Sequence, residues 1–131
     1  MSKQHLFLAL AVGQLLHSLE EYRFRLWESF PPARFLSGLV SNDLEVGFIV
    51  INASVVAAAF LCYLGPIRKN WKVASGIAWF WVVLETVNGL GHPAWAIASG
   101  GYTPGLITSL LLLPFAVALG LRLSTSPGPP S

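Results

Sequence analysis

The stretch LLHSLEEYRFRLW, residues 15–27, sets a histidine and two adjacent glutamates directly behind the apolar run LFLALAVG. His17, Glu20 and Glu21 are spaced i, i+3, i+4, so on a helix they share one face, with Gln14 one turn below His17 on the same stripe. Glu85, Asn88 and His92 repeat the arrangement at i, i+3, i+7, and Glu45 and Asn52 are seven apart. Imidazoles and carboxylates that converge from such faces can hold a divalent cation. Without a metal they can set a protonated acid beside an ionised base for proton transfer. The candidate ligands are His17, Glu20, Glu21, Glu45, Glu85 and His92, with Gln14, Asn52 and Asn88 as substrate-binding or supporting groups. His17, Glu21 and Glu85 are expected to carry the reaction under either mechanism.

These groups need helices to position them, and the composition names the solvent. Hydrophobic residues make up 54% of the 131 and charged residues only 11%, against roughly 25% charged in an ordinary soluble domain. Mean hydropathy is +0.63, a membrane composition. At about 20 residues per crossing, four crossings nearly exhaust the chain. Proline, glycine and charge bound four hydrophobic segments at about 5–27, 44–64, 73–91 and 104–123. Ser41, Asn42 or Asp43 can cap the second, Pro104 suits a first helical turn, and Pro114 predicts a kink in the fourth. No run alternates as the strands of a barrel would. The expected fold is all-α, a membrane-spanning four-helix bundle over residues 1–123, with STSPGPPS at 124–131 a disordered tail.

Depth and direction then bring the stripes together. A rise of 1.5 Å per residue puts His17, Glu20 and Glu21 about 18 to 24 Å above the start of segment one, and Glu85 and His92 about 20 and 30 Å above the start of segment three. Segment two runs the opposite way, so Glu45 lies near the same outer end. An ionised side chain inside a bilayer costs about 2.5–3.5 kcal/mol on insertion scales and rarely faces lipid, so the stripes should face one another. Arg68, Lys69 and Lys72 sit in the short loop between segments two and three, which places that loop and both termini in the cytoplasm, with Lys3 and Arg122 in agreement and Arg23, Arg25 and Arg34 against. The expected setting is a bacterial inner membrane.

Other classes are excluded or outweighed. Eight basic and six acidic residues leave a net charge of +2 with no long basic run, too little for a nucleic-acid footprint. Cys62 is the only cysteine, so no internal disulfide or cysteine metal cluster can form. A signal peptide is the rival for the N-terminus, since Lys3 precedes an apolar run; against it, the run continues through Leu15, Leu16 and Leu19. Trp71, Trp27, Tyr22 and Tyr102 read as interfacial anchors. The GGYTPG sequence at 100–105 reads as a turn.

His17-Ser18-Leu19-Glu20-Glu21 is an H-x-x-E-E motif, and Asn88-Gly89-Leu90-Gly91-His92 resembles the N-A-x-x-H motif that accompanies it in the HXXEE family, with Gly89 where alanine is usual. The resemblance runs from segment one into the start of segment four. It implies a small integral-membrane protein, presumed to be an enzyme, whose motifs form the active site; the reaction is not established. A further His-Glu pair belongs to the family's pattern, and the corresponding position here reads Leu44-Glu45, without the histidine.

Two readings of function follow. The first is an integral-membrane enzyme with a buried His/Glu site, dependent on one or two divalent metals, zinc or iron first, acting on a lipid-soluble small molecule by hydrolysis, or by metal-free proton transfer as in an isomerase. The second is a non-catalytic accessory subunit of a larger membrane complex, binding lipid or pigment, in which Glu21 pairs with Arg25 and Glu85 with Arg23 or a histidine. Membrane lipid is a partner under both, and a membrane-protein partner or a second copy is compatible with each.

Overall fold

A computed structural model describes residues 1–126 of the chain. Every regular element among them is helical: α1 (Lys3–Arg23), α2 (Leu26–Ser29), α3 (Pro31–Val40), α4 (Leu44–Cys62), α5 (Ala74–Ser99) and α6 (Leu106–Thr125), with one π-helical turn, Tyr63–Ile67, extending α4. Of the disordered tail expected at 124–131, Ser124 and Thr125 belong instead to α6, and residues 127–131 lie outside the described part.

Local chemistry explains the boundaries. The Ser2 side chain accepts from the His5 N–H at the start of α1, and the Asp43 carboxylate accepts from the N–H groups of Glu45 and Val46 at the start of α4. The first segment was expected to run unbroken to Trp27. Instead α1 ends at Arg23, and Arg25 turns the chain in the left-handed region at φ 56°. Two short helices, α2 and α3, then fill what reads in the sequence as a loop. In the other direction, α5 continues through Pro93 to Ser99, eight residues past the expected end, and closes on Gly100 at φ 78°. Pro114 likewise lies inside a continuous α6.

α6 packs against both α5 and α1, while α4 packs against α1 and α3. Missing side chains allow the closest approaches. A Cβ on Gly13 of α1 would sit 2.7 Å from Leu112 Cδ2 of α6, and one on Gly89 of α5 would sit 2.8 Å from Leu113 Cβ. At Gly47 of α4 a Cβ would collide with the backbone carbonyl of Ser37 in α3. The alanine usual at the Gly89 position therefore has no room beside Leu113.

Two apolar clusters bracket the middle of the molecule. One gathers Leu6, Phe7 and Leu10 of α1 with Trp81 of α5 and Leu112 and Leu119 of α6; the other joins Leu26 and Trp27 to Phe48, with Phe30 and Trp95 packed on it. Trp27 is thus a buried core residue, 3% exposed, and not an interfacial anchor. Between the clusters α1 buries a polar stripe: Gln14, His17, Ser18 and Glu21.

The outside is apolar. Two helices, Leu44–Ile67 and Leu106–Thr125, are long and apolar enough to cross a membrane, and only 17% and 28% of their windows are buried inside the protein. The polar stripes keep α1 and α5 out of that class.

Candidate functional site

His17, Glu21 and His92 form the centre of the polar layer. One ligand atom from each lies within 4.8 Å of the others, and all three residues are buried. Glu21 Oε1 is 3.0 Å from His17 Nε2 and 3.2 Å from His92 Nε2. The two imidazoles stand nearly perpendicular, 84° apart, with centroids separated by 4.7 Å. His17 and Glu21 are placed by their i, i+4 spacing on α1. His92 comes from α5, where the helix continues past it because Pro93 does not break it.

Proton counting fixes the orientation of His17. Glu20 Oε1 lies 2.6 Å from Thr108 Oγ1, so the threonine gives its hydroxyl proton to the carboxylate. Its oxygen is then the acceptor for His17 Nδ1 at 2.9 Å. The Nδ1 nitrogen therefore carries a ring proton, and in the neutral ring Nε2 is the atom left to offer a lone pair on the side of Glu21. Despite the 3.0 Å approach, His17 Nε2 has no hydrogen-bond partner among the described residues, nor has His92 Nδ1. Donor atoms bonded to one ion at about 2.0–2.2 Å in a tetrahedron stand about 3.3–3.6 Å apart. The 3.0 and 3.2 Å separations from Glu21 are a few tenths below that edge and all three donors lie within 4.8 Å of one another, so the group could hold a metal ion.

Glu20 is occupied elsewhere. It accepts from the N–H groups of Ile107 (3.1 Å) and Thr108 (2.7 Å), from Thr108 Oγ1, and from the Tyr102 hydroxyl at 2.5 Å. Gly105 at the start of α6 has no side chain to cap it, and a carboxylate from α1 takes that place, favoured by the helix dipole. Partial burial and the neighbouring Glu20 carboxylate push the Tyr102 phenol up, which keeps its hydroxyl a donor. Through Thr108, Glu20 also orients the ring of His17, as carboxylates behind ligating histidines do.

Gly105 closes the group from the α6 side. A Cβ there would sit 2.6 Å from His92 Cε1 and 2.9 Å from His17 Cε1, and its φ of 93° is one that side chains resist.

The remaining sequence candidates fall in two places. Glu85, fully buried, lies about one turn deeper, accepting from Asn88 Nδ2 at 3.2 Å and facing the amide of Gln14. Gln14 Nε2 donates to Ser18 Oγ (2.9 Å), Ser18 to Asn52 Oδ1 (2.9 Å), and Asn52 Nδ2 to the Phe48 carbonyl (3.2 Å). Glu45 stands apart, accepting from the Tyr22 hydroxyl at 2.8 Å. Arg25 pairs with Glu28 at 2.7 Å and not with Glu21.

Sequence reasoning missed Thr108, Gly105, Tyr102 and Ser18. Thr108-Ser109 is the one polar pair within the first two turns of an otherwise apolar helix, and that was the available signal. Replacing Thr108 by Val is expected to leave Glu20 short of one donor and His17 Nδ1 without an acceptor. The expected cost is about 1–3 kcal/mol in a denaturation experiment, with about 10–100-fold weaker metal binding by titration.

The model of a family described as "Protein of unknown function with HXXEE motif" matches residues 8–119. No curated protein and no solved structure matches the chain. With His17 and Glu21 at the centre of the buried group and Glu20 holding α6 and His17 in place, each named position of the motif has a physical task, and the chain belongs to the HXXEE family.

Proposed function

We propose that this protein is an integral-membrane metalloenzyme in which His17, Glu21 and His92 hold one zinc or iron(II) ion. The observation that carries the reading is the approach of Glu21 Oε1 to both imidazole Nε2 atoms, at 3.0 and 3.2 Å, with one ligand atom of each residue within 4.8 Å of the others and His17 Nε2 lacking a hydrogen bond. Two histidines and one carboxylate with open remaining positions is a donor set of catalytic zinc and of non-haem iron. When bound, such an ion polarises a substrate oxygen or makes water a nucleophile near neutral pH. The chain's own residues then bind, orient and keep water out: Thr108 and Glu20 fix the His17 tautomer, and the Trp27 cluster covers the outer side.

The membrane reading rests on inverted burial. Val12, Leu16 and Leu19 on α1 and Val83, Val87 and Leu90 on α5 face outward, while Gln14, His17, Glu21, Glu85 and His92 are inside. In water that distribution would be unstable, whereas in a bilayer each residue has its preferred surroundings. α1, α4, α5 and α6 would cross, and α3, with Phe35, Leu36, Leu39 and Val40 exposed, would lie along the outer interface. The basic loop and the N-terminus share one end, since Gln4 Nε2 donates to the carbonyls of Ile67 and Arg68, and the charge of the loop would make that end the cytoplasmic one. A groove of about 520 Å³ between α1 and α4, lined by Leu15, Leu19, Ile49 and Val56, opens on the apolar exterior and suits a lipid-soluble molecule; His17, Glu21 and His92 do not line it, and it meets the polar layer at Ser18 and Asn52.

The second reading, a non-catalytic membrane subunit, draws on the same Glu21 contacts taken as an imidazolium–carboxylate clasp between α1 and α5. Elemental analysis of the detergent-purified chain separates the two. About one zinc or iron per chain is expected, removable by chelator; a folded, metal-free preparation that takes up neither ion would discard the metalloenzyme and leave the clasp.

A further inference from the structure

Among the described residues no lysine or arginine pairs with Glu85, and its charged or titratable neighbours are His17 and Glu21, neither of them hydrogen-bonded to it. Its hydrogen-bonding neighbours are the amides of Gln14 and Asn88, and the proton arithmetic of this chain of groups decides its state. One atom of the Gln14 amide lies 2.6 Å from Glu85 Oε1 and 3.3 Å from Oε2, and the other lies 2.9 Å from Ser18 Oγ. Ser18 Oγ is 2.9 Å from Asn52 Oδ1, and Asn52 Nδ2 is tied to the Phe48 carbonyl.

Suppose Glu85 were ionised. The Gln14 nitrogen would have to face it, and the Gln14 oxygen would face Ser18. The single Ser18 proton would then be claimed by both Gln14 Oε1 and Asn52 Oδ1. Turning Asn52 does not help, because its oxygen would then meet the Phe48 carbonyl. One acceptor pair is left in contact without a proton, at a cost comparable to a lost buried hydrogen bond.

With a proton on Glu85 every contact is satisfied once. The acid donates to Gln14 Oε1, Gln14 to Ser18, Ser18 to Asn52 and Asn52 to the backbone, while Asn88 donates to the other Glu85 oxygen. The 2.6 Å separation also falls within the O–H···O range and below that of N–H···O. We propose that Glu85 is a neutral carboxylic acid, its proton held by a one-way hydrogen-bond chain through Gln14, Ser18 and Asn52, and that it is the acid of the site. Its use on a substrate rests on the enzyme reading above; the hydrogen-bond count does not. Giving up that proton would require the Gln14 amide and the Ser18 hydroxyl to turn together and would leave Asn52 Oδ1, on the wall of the groove, without a donor.

Infrared spectroscopy of the purified full chain at neutral pH tests this, because the sequence holds only six aspartates and glutamates. A carboxylic-acid carbonyl band is expected in the wild type, lost in Glu85→Gln and shifted to higher frequency in Asn88→Ala, where the acid carbonyl loses its donor. Glu85→Gln should melt no lower than the wild type, because a glutamine at 85 donates to Gln14 as the acid does, whereas Glu85→Leu should melt lower. Metal content of Glu85→Gln should match that of the wild type. No acid band in folded wild type, a band that survives Glu85→Gln, or loss of metal in that variant alone would each overturn the proposal. A wild type without metal that keeps the band would sink the metalloenzyme and leave Glu85 as stated.

Discussion

Glu21→Gln is expected to abolish metal binding while leaving the helices assembled. Glu21 Oε1 is the atom both imidazoles approach, at 3.0 and 3.2 Å, so the substitution removes the central negative donor. Loss of a supporting partner typically weakens a metal site about 10–100-fold, and loss of a direct anionic ligand should exceed that. The amide can still bond an imidazole, so the apo protein should change by only about 1 kcal/mol. Chelator should lower the melting temperature of the wild type, which loses the linked binding energy, and should leave the variant unmoved. Stoichiometric metal in Glu21→Gln, or a wild type indifferent to both chelator and added zinc, would contradict the assignment.

Gly105→Ala is expected to be the single-carbon change that most directly disrupts the buried His/Glu group. Its Cβ would lie 2.6 Å from His92 Cε1 and 2.9 Å from both His92 Nδ1 and His17 Cε1, so the imidazoles must separate. The backbone at φ 93° adds a conformational penalty of about 1–3 kcal/mol. Gly100→Ala is the matched control. It too has positive φ, 78°, but nothing lies within 4 Å of its Cβ. The control should lose about 1 kcal/mol and keep its metal; Gly105→Ala should lose both stability and metal. Equal effects of the two in thermal melts and elemental analysis would show that Gly105 serves only the turn.

The helix faces were legible in the sequence because period and charge placement are local properties. The meeting of His17 and Glu21 with His92 followed from matching heights on segments one and three, and Asn52 joins Gln14 and Glu85 through Ser18. Glu20 was not separable from Glu21 in this way. The two are 100° apart on α1, and only the position of α6 decides that one faces inward and the other serves as its cap. Glu45 was assigned by depth, yet Tyr22 claims it at the edge. α2 and α3 were invisible because their pattern is short, begins at Pro31 and is held by tertiary contact, Ser37 against Gly47. Thr108 and Gly105 carry roles that exist only once α6 docks.

The Thr108 hydroxyl lies between Glu20 and His17, and it belongs to α6, which is made after α1 and α5. A nascent chain cut short before residue 106 would have both histidines and Glu21 in place in the sequence, but nothing to aim the His17 ring or to satisfy Glu20. The group is therefore completed only when α6 docks on α1 and α5, so a cation held there could not guide the placement of the helices made before it.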